Sequence, residues 1–182
     1  MKTTFLKFTM IILAVVSFIS CKDVKENQTV EINTPEEVKQ NEKNLPDVAD
    51  QAFVDGMTSK VWQNYLEVKM ALANDDAGTV KDVAREMAKS FSSEREAMKE
   101  IAQKMADTDD IEVQRNLFAQ FTEKAGPMFE DALSAGTIYQ KFCPMAFNNQ
   151  GAYWYAAVEE VSNPYFGEKM PNCGAVSKTI KK

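Results

Sequence analysis

Apolar residues recur at three- and four-residue intervals through the middle of the chain, the spacing of one face of an α-helix. Val54, Met57, Val61, Tyr65, Val68 and Leu72 draw a first stripe, and Asn74, Asp75 and Asp76 then supply capping chemistry for a turn. Val80, Val83, Met87, Phe91, Met98, Ile101 and Met105 draw a second, with Ser92 and Ser93 as the place for a bend. Past Asp107-Thr108-Asp109-Asp110 a third runs through Ile111, Gln114, Leu117, Phe121, Ala125, Met128 and Ala132. Gly126-Pro127 interrupts it. Because proline removes a backbone donor and crowds the preceding turn, a kink or a break into two short helices is expected there. Long amphipathic helices with short connections lie as antiparallel neighbours, so the pattern predicts an all-α fold, an up-down antiparallel bundle of three to four helices. Met57, Met87, Met98, Met105 and Met128 share the stripes with Val, Ile and Phe and read as core. Trp62 and Tyr65 read as core or as the surface that receives the C-terminal part of the chain.

At Gly136 the pattern changes. Thr137 to Phe142 suggests a short extended segment, a strand or half of a hairpin, and the whole tail from 137 to 182 is irregular and aromatic-rich. Tyr139, Phe142, Phe147, Tyr153, Trp154, Tyr155, Tyr165 and Phe166 crowd into it, separated by Asn148-Asn149-Gln150-Gly151 and Asn163-Pro164. Turn residues at those points fold the segment back, and its rings need the end of the bundle to be buried against. The domain proper is expected to span 47–182.

Ahead of it, Lys2 and Lys7 precede an uncharged, largely apolar run from Phe8 to Ile19 that ends at Ser20 and Cys21. This is the layout of a signal peptide over 1–20, short of the roughly twenty apolar residues that span a bilayer. Ser20 before Cys21 resembles a relaxed lipobox, in which Cys21 is acylated and anchors the chain to a membrane. Residues 21–46 are dominated by Lys, Glu, Asn, Gln and Thr and hold no aromatic, too polar to bury a face, and read as a flexible tether. The chain has 21 basic and 27 acidic residues; loss of Lys2 and Lys7 leaves 19 basic and a net charge of about −8. Such a surface repels nucleic acid. The expected location is the cell envelope, facing the periplasm or the cell surface.

Histidine is absent from the chain. That excludes histidine triads, His-ligated zinc and imidazole acid/base catalysis. No nucleophile stands beside a base and no carboxylate pair is marked, so binding rather than catalysis is expected. The acidic pairs Asp75-Asp76, Asp109-Asp110 and Glu159-Glu160 read as caps and solvated faces, without calcium-loop spacing. Chemistry concentrates instead in Cys143-Pro144-Met145 and Met170-Pro171-Asn172-Cys173. In extended backbone Cys143 and Met145 point to one side, while Pro171-Asn172 fits a β-turn that brings Met170 and Cys173 close. Two thiolates and two thioethers form a soft site, which selects Cu(I) over harder ions. A disulfide between Cys143 and Cys173, or two inert buried thiols, fits the same spacing.

Cys143-Pro-Met-Ala-Phe-Asn-Asn-Gln-Gly-Ala-Tyr-Trp154, followed by Asn163-Pro-Tyr-Phe-Gly-Glu-Lys-Met170 and Cys173-Gly174, resembles an envelope-domain family, the domain of unknown function number 3347. The resemblance extends over roughly Ala52 to Lys182 and is specific from Cys143 to Gly174. It marks Cys143, Pro144, Met145, Asn148, Gly151, Trp154, Asn163, Pro164, Tyr165, Gly167, Met170 and Cys173. It implies short lipoproteins and domains on periplasmic adaptor subunits of copper- and silver-type efflux pumps, and so favours a metal role. Two departures stand out. Gly126-Pro127 falls in a helix the family keeps continuous, and Lys141-Phe142 stands where some relatives carry a histidine, so a mixed nitrogen and sulfur site is not open to this chain. The resulting expectation is a membrane-tethered Cu(I) module that sequesters the ion or passes it to an efflux adaptor. Cys143, Met145, Met170 and Cys173 are its ligands, and Trp154 and Tyr165 shield them. The alternative is a disulfide-stapled interaction domain without metal.

Overall fold

The computed structural model describes residues 50–182. The expected signal peptide, the acylated Cys21 and the tether lie outside the described residues. No helix among the described residues is long and apolar enough to cross a membrane.

A two-residue strand, β1 (Ala52–Phe53), precedes helix α1 (Gly56–Ala73), which starts where the Asp55 carboxylate accepts from the Thr58 N–H at 2.7 Å. Such a cap satisfies one of the orphan donors at a helix start. α2 (Ala77–Lys89) begins on Asp76, which accepts from Thr79 N–H at 3.0 Å. A 3₁₀ turn, Ser93–Arg95, leads into α3 (Glu96–Ala106), and α4 (Ile111–Ala132) is capped by Asp110. The second apolar stripe is therefore two helices, not one bent helix: Ser92 and Ser93 end the regular ladder, and α3 packs on α2. α3 also packs on α4, and α4 on α1.

The expected break at Gly126-Pro127 is absent, and α4 continues through Pro127. An interior proline costs about 3 kcal/mol. Against it stand Phe121, Ala125, Met128, Phe129 and Ala132, all buried on the same length of helix. Val54 also departs from the pattern. It is 72% exposed, since its place on the first stripe precedes the helix start.

The core is a stack of rings. Tyr65 lies 4.8 Å from Phe118, and Phe129 stands edge-on to Trp62 at 5.0 Å and to Tyr65 at 5.2 Å. Met87, Met98, Met105 and Met128 are buried among apolar neighbours. The fold is thus mostly helical with added β-structure. β2 (Leu133–Ala135) pairs antiparallel with β1, and β3 (Thr137–Cys143) is the centre of a three-stranded antiparallel sheet. Its neighbours are β4 (Ala152–Ala156) on one side and β5 (Ala175–Lys181) on the other. The tail, expected as one strand or a hairpin, is a hairpin plus a returning strand. It docks on α4 through Tyr155 against Phe129 and Tyr165 against Phe118, and on α1 where Tyr155 N–H donates to the Tyr65 hydroxyl at 3.0 Å.

Candidate functional site

β3 delivers Cys143 to the interior at its last residue, opposite Ala152, and the side chain is fully buried. Pro144 then ends the strand, and Met145 adopts helical rather than extended angles, φ −87° and ψ −12°. Cys143 and Met145 therefore do not share a strand face as expected. Cys143 points inward, whereas Met145 is 47% exposed. The next turn, α5 (Ala146–Asn149), runs left-handed: Phe147, Asn148 and Asn149 have φ of 50°, 58° and 66°. Each such residue costs about 1–2 kcal/mol, somewhat less for asparagine. The turn is held by Gly151 N–H to Ala146 O at 3.0 Å and by Phe147 standing edge-on to Tyr165 at 5.3 Å. Gly151 itself has φ 79°, and a Cβ there would fall 2.3 Å from Phe142.

The second sulfur turn is built around Asn163, which is buried. Its amide donates to Cys173 O at 2.7 Å, its side-chain oxygen accepts from Tyr165 N–H at 2.7 Å, and its own N–H reaches Pro171 O at 2.9 Å. Cys173 N–H closes the β-turn on Met170 O at 3.2 Å. Gly174, φ 123°, then lets the chain pass directly over Trp154, whose ring a Cβ would meet at 2.6 Å.

These two turns bring the thiols of Cys143 and Cys173 into hydrogen-bond contact, both unbonded to any other sulfur. Burial and the Cys143 contact push the Cys173 thiol up to about 11, opposed by the Met145 N–H, which donates to its sulfur. Trp154 is fully buried and stands edge-on to Tyr165 at 5.9 Å. The Tyr165 hydroxyl donates to Tyr153 O. Its phenol is raised well above the ordinary value by burial, with lesser contributions that include the nearby Cys143. The Trp154 indole N–H has no partner among the described residues. Met145 and Met170 line one open cavity of about 520 Å³, with Phe147, Tyr165, Lys169 and Glu112 among its other walls. The two cysteines lie off that wall. Among the described residues no three Cys, Asp or Glu side chains gather as a group that could hold a metal ion.

One residue that positions the tail was hidden in the sequence. Arg115 is 1% exposed and holds the tail to the helices. Its guanidinium donates to Pro164 O at 3.0 Å, Leu72 O at 3.1 Å, Glu112 at 2.7 Å and Asp75 at 2.5 Å. Asp75, with φ 56°, also accepts from Glu168 N–H at 3.1 Å, so the α1–α2 turn and the tail share one carboxylate. The sole hint in the sequence was an arginine adjoining the apolar stripe of α4. Of the acidic pairs, Asp76 and Asp110 cap helices and Asp75 pairs with Arg115.

Residues 61–134 match the model of a family described as a protein of unknown function, DUF3347, the family that the sequence resembles. The matched stretch runs from within α1 to β2, whereas the residues that carried the resemblance lie beyond it in the tail. No curated protein and no solved structure matches the chain.

Proposed function

We propose that this chain is a Cu(I)-binding module of the bacterial envelope, tethered to a membrane through acylated Cys21, that sequesters the ion or hands it to a heavy-metal efflux adaptor. The observation that carries the reading is the contact between the Cys143 and Cys173 thiols, with Gly174 after Cys173 lying on the buried ring of Trp154 and with Met145 and Met170 on the adjoining cavity. The donor set fits the cargo. Two thiols side by side repel once both ionise, and a monovalent soft cation between them offsets that repulsion. Cys143 and Cys173 would bind the ion as thiolates, Met145 and Met170 would offer thioethers from the adjoining cavity, and Trp154 and Tyr165 would keep water from the thiols. We infer further that the four helices form an up-down antiparallel bundle, a reading supported by their short connections and by the packing of α1 on α4.

The same contact supports a second reading, a Cys143–Cys173 disulfide that staples an interaction domain. Closing a loop of about 30 residues is worth roughly 3–4 kcal/mol in the chain-entropy model. Counting free thiols in protein isolated without reductant, then titrating Cu(I) against a competing chelator, separates the two. Stoichiometric uptake that disappears in Cys143→Ser supports the copper module; two unreactive cysteines and no uptake support the staple. Release of the protein from membranes by Cys21→Ala tests the anchor.

A further inference from the structure

The four sulfurs are not equivalent in this fold. Cys143 is fully buried and Met145 is 47% exposed, though only Pro144 separates them. Both methionines face the cavity of about 520 Å³, and its wall includes neither cysteine. Thiols and thioethers are nonetheless joined through the backbone. Met145 N–H donates to the Cys173 sulfur, and Cys173 N–H donates to Met170 O at 3.2 Å. The left-handed turn directly after Met145 sets this arrangement. It reverses the chain so that Phe147 packs on Tyr165 while Met145 stays on the cavity wall and half exposed. Left-handed runs of three non-glycine residues persist only where surrounding structure holds them, and they cluster at functional sites.

We propose that the donors act in sequence, Met145 and Met170 capturing Cu(I) at the mouth of the cavity and Cys143 with Cys173 receiving it behind. The inference rests on the copper reading above. In the first step a bond from copper to its carrier breaks as bonds to the two thioether sulfurs form; these are neutral, so no proton moves. In the second, bonds to Cys143 and Cys173 replace them, and the thiol protons pass to water. Copper remains Cu(I) throughout and no electron is transferred. The cavity is also electrostatically quiet for an arriving cation, since Arg115 is paired with Asp75 and Glu112, and Lys169 lies 3.8 Å from Glu112.

The test uses the full chain with Cys21→Ser in every sample, so that Cys143 and Cys173 are its remaining thiols. Cu(I) is offered anaerobically as its acetonitrile complex. Capture is followed by stopped-flow quenching of tryptophan fluorescence, and affinity is measured separately by chelator competition. Leucine replaces methionine with little change of volume, and an unchanged melting temperature confirms that the fold is kept. Met145→Leu/Met170→Leu is expected to slow capture about tenfold or more, a barrier increase of about 1.4 kcal/mol, with affinity nearly unaltered. Cys143→Ser/Cys173→Ser is expected to retain rapid, weak capture and to lose the tight endpoint. Capture by the double methionine variant at the wild-type rate overturns the proposal, as does a loss of affinity equal to the loss of rate, which would mean four ligands in one site. Failure of the wild-type chain to take up Cu(I) removes the copper reading itself, and is recognised without reference to any variant.

Discussion

Replacing Arg115 with methionine removes a cation from a place that water does not reach. Arg115 is 1% exposed and donates to two backbone carbonyls and two carboxylates. The carboxylates are the lesser part, because Asp75 and Glu112 side chains are 37% and 62% exposed and water takes over from the guanidinium. The carbonyls are different. Pro164 O loses its donor inside the protein, and Leu72 O keeps the longer Asp75 N–H contact at 3.4 Å. A buried acceptor left unsatisfied costs about 1–3 kcal/mol, so the variant is expected to lose about 3 kcal/mol, a large share of the roughly 5–15 kcal/mol that holds an ordinary domain. In urea, with a slope of about 1–3 kcal/mol per molar, the midpoint falls by roughly 1–3 M. Tryptophan fluorescence is a suitable probe because Trp62 reports on the helices and Trp154 on the tail. Arg115→Lys recovers at most part of the loss, since a single ammonium cannot span both carbonyls. A cost under about 0.5 kcal/mol for Arg115→Met refutes this, as does an Asp75→Asn cost equal to that of Arg115→Met, which would place the energy in the ion pair and not in the carbonyls.

Gly126→Ala pits a helix-propensity gain of about 1 kcal/mol against a Cβ placed 2.8 Å from the Tyr155 hydroxyl, which is itself tied to Glu130 at 2.7 Å and Gln140 at 2.9 Å. Overpacking of about 1–3 kcal/mol is expected to win, and a rise in melting temperature would show that Tyr155 yields freely. Asn148→Ala, at φ 58°, is expected to cost about 1 kcal/mol and Asn148→Gly almost nothing, measured as the difference in unfolding free energy; equal effects would deny that the left-handed angle is strained. Asp55 and Asp76 are held below the usual carboxylate range by hydrogen bonds from Thr58 and Thr79, and Asp75 is also low: burial is the largest single influence and raises it, but the hydrogen bonds from Arg115 and the Glu168 N–H and the charges of Arg115 and Lys169 together outweigh it. Depressed folded-state values mean that the unfolded chain binds more protons in acid, so their stabilisation is complete above roughly pH 5 and declines as pH falls through the folded values. Unfolding free energy that stays level from pH 6 down to about pH 3 contradicts this sign.

The helices were legible because burial imposes a period. Val61, Tyr65, Val68 and Leu72 sit a turn apart, and each is buried. What period cannot show is where a helix stops. The stripe through Met87, Phe91 and Met98 stays in phase across Ser92-Ser93, although the backbone breaks there into a 3₁₀ turn and the second half packs on the first. Pro127 erred in the other direction. A local penalty predicted a break, but the apolar face that α4 buries on both sides of it outweighs one lost hydrogen bond. At the sulfurs, the turn residues of Met170 to Cys173 announced their geometry, while Cys143 to Met145 did not. Its direction is set by the left-handed Phe147-Asn148-Asn149, and three consecutive positive φ angles with a phenylalanine first have no compositional cue beyond the paired asparagines. Arg115 is not legible in the sequence because a charge beside an apolar stripe is usually solvated, and its partners come from the distant α1–α2 turn and the returning tail.

The division between matched helices and sulfur-bearing tail has a physical meaning once the contacts are traced. The tail presents Tyr155, Pro164 and Tyr165 to the helices, and they are received by Tyr65 on α1 and by Arg115, Phe118 and Phe129 on α4. Every one of those receiving residues falls within residues 61–134. Tyr65 shows the dependence most directly. Its hydroxyl, buried with the ring, bonds Thr122 at 2.9 Å and accepts from the Tyr155 backbone at 3.0 Å, so one helix side chain fixes the register of β4 and, through the ladder, of Cys143 on β3. The helices can bury their apolar faces on one another without the cysteines. The cysteines meet only because the helices offer a seat of that shape, with hydrogen-bonding groups at Tyr65 and Arg115 that cannot be left unpaired at such depth. Loss of either seat residue is therefore expected to loosen the thiol pair while leaving both thiols in the chain, and thiol reactivity is the measurement that reports it.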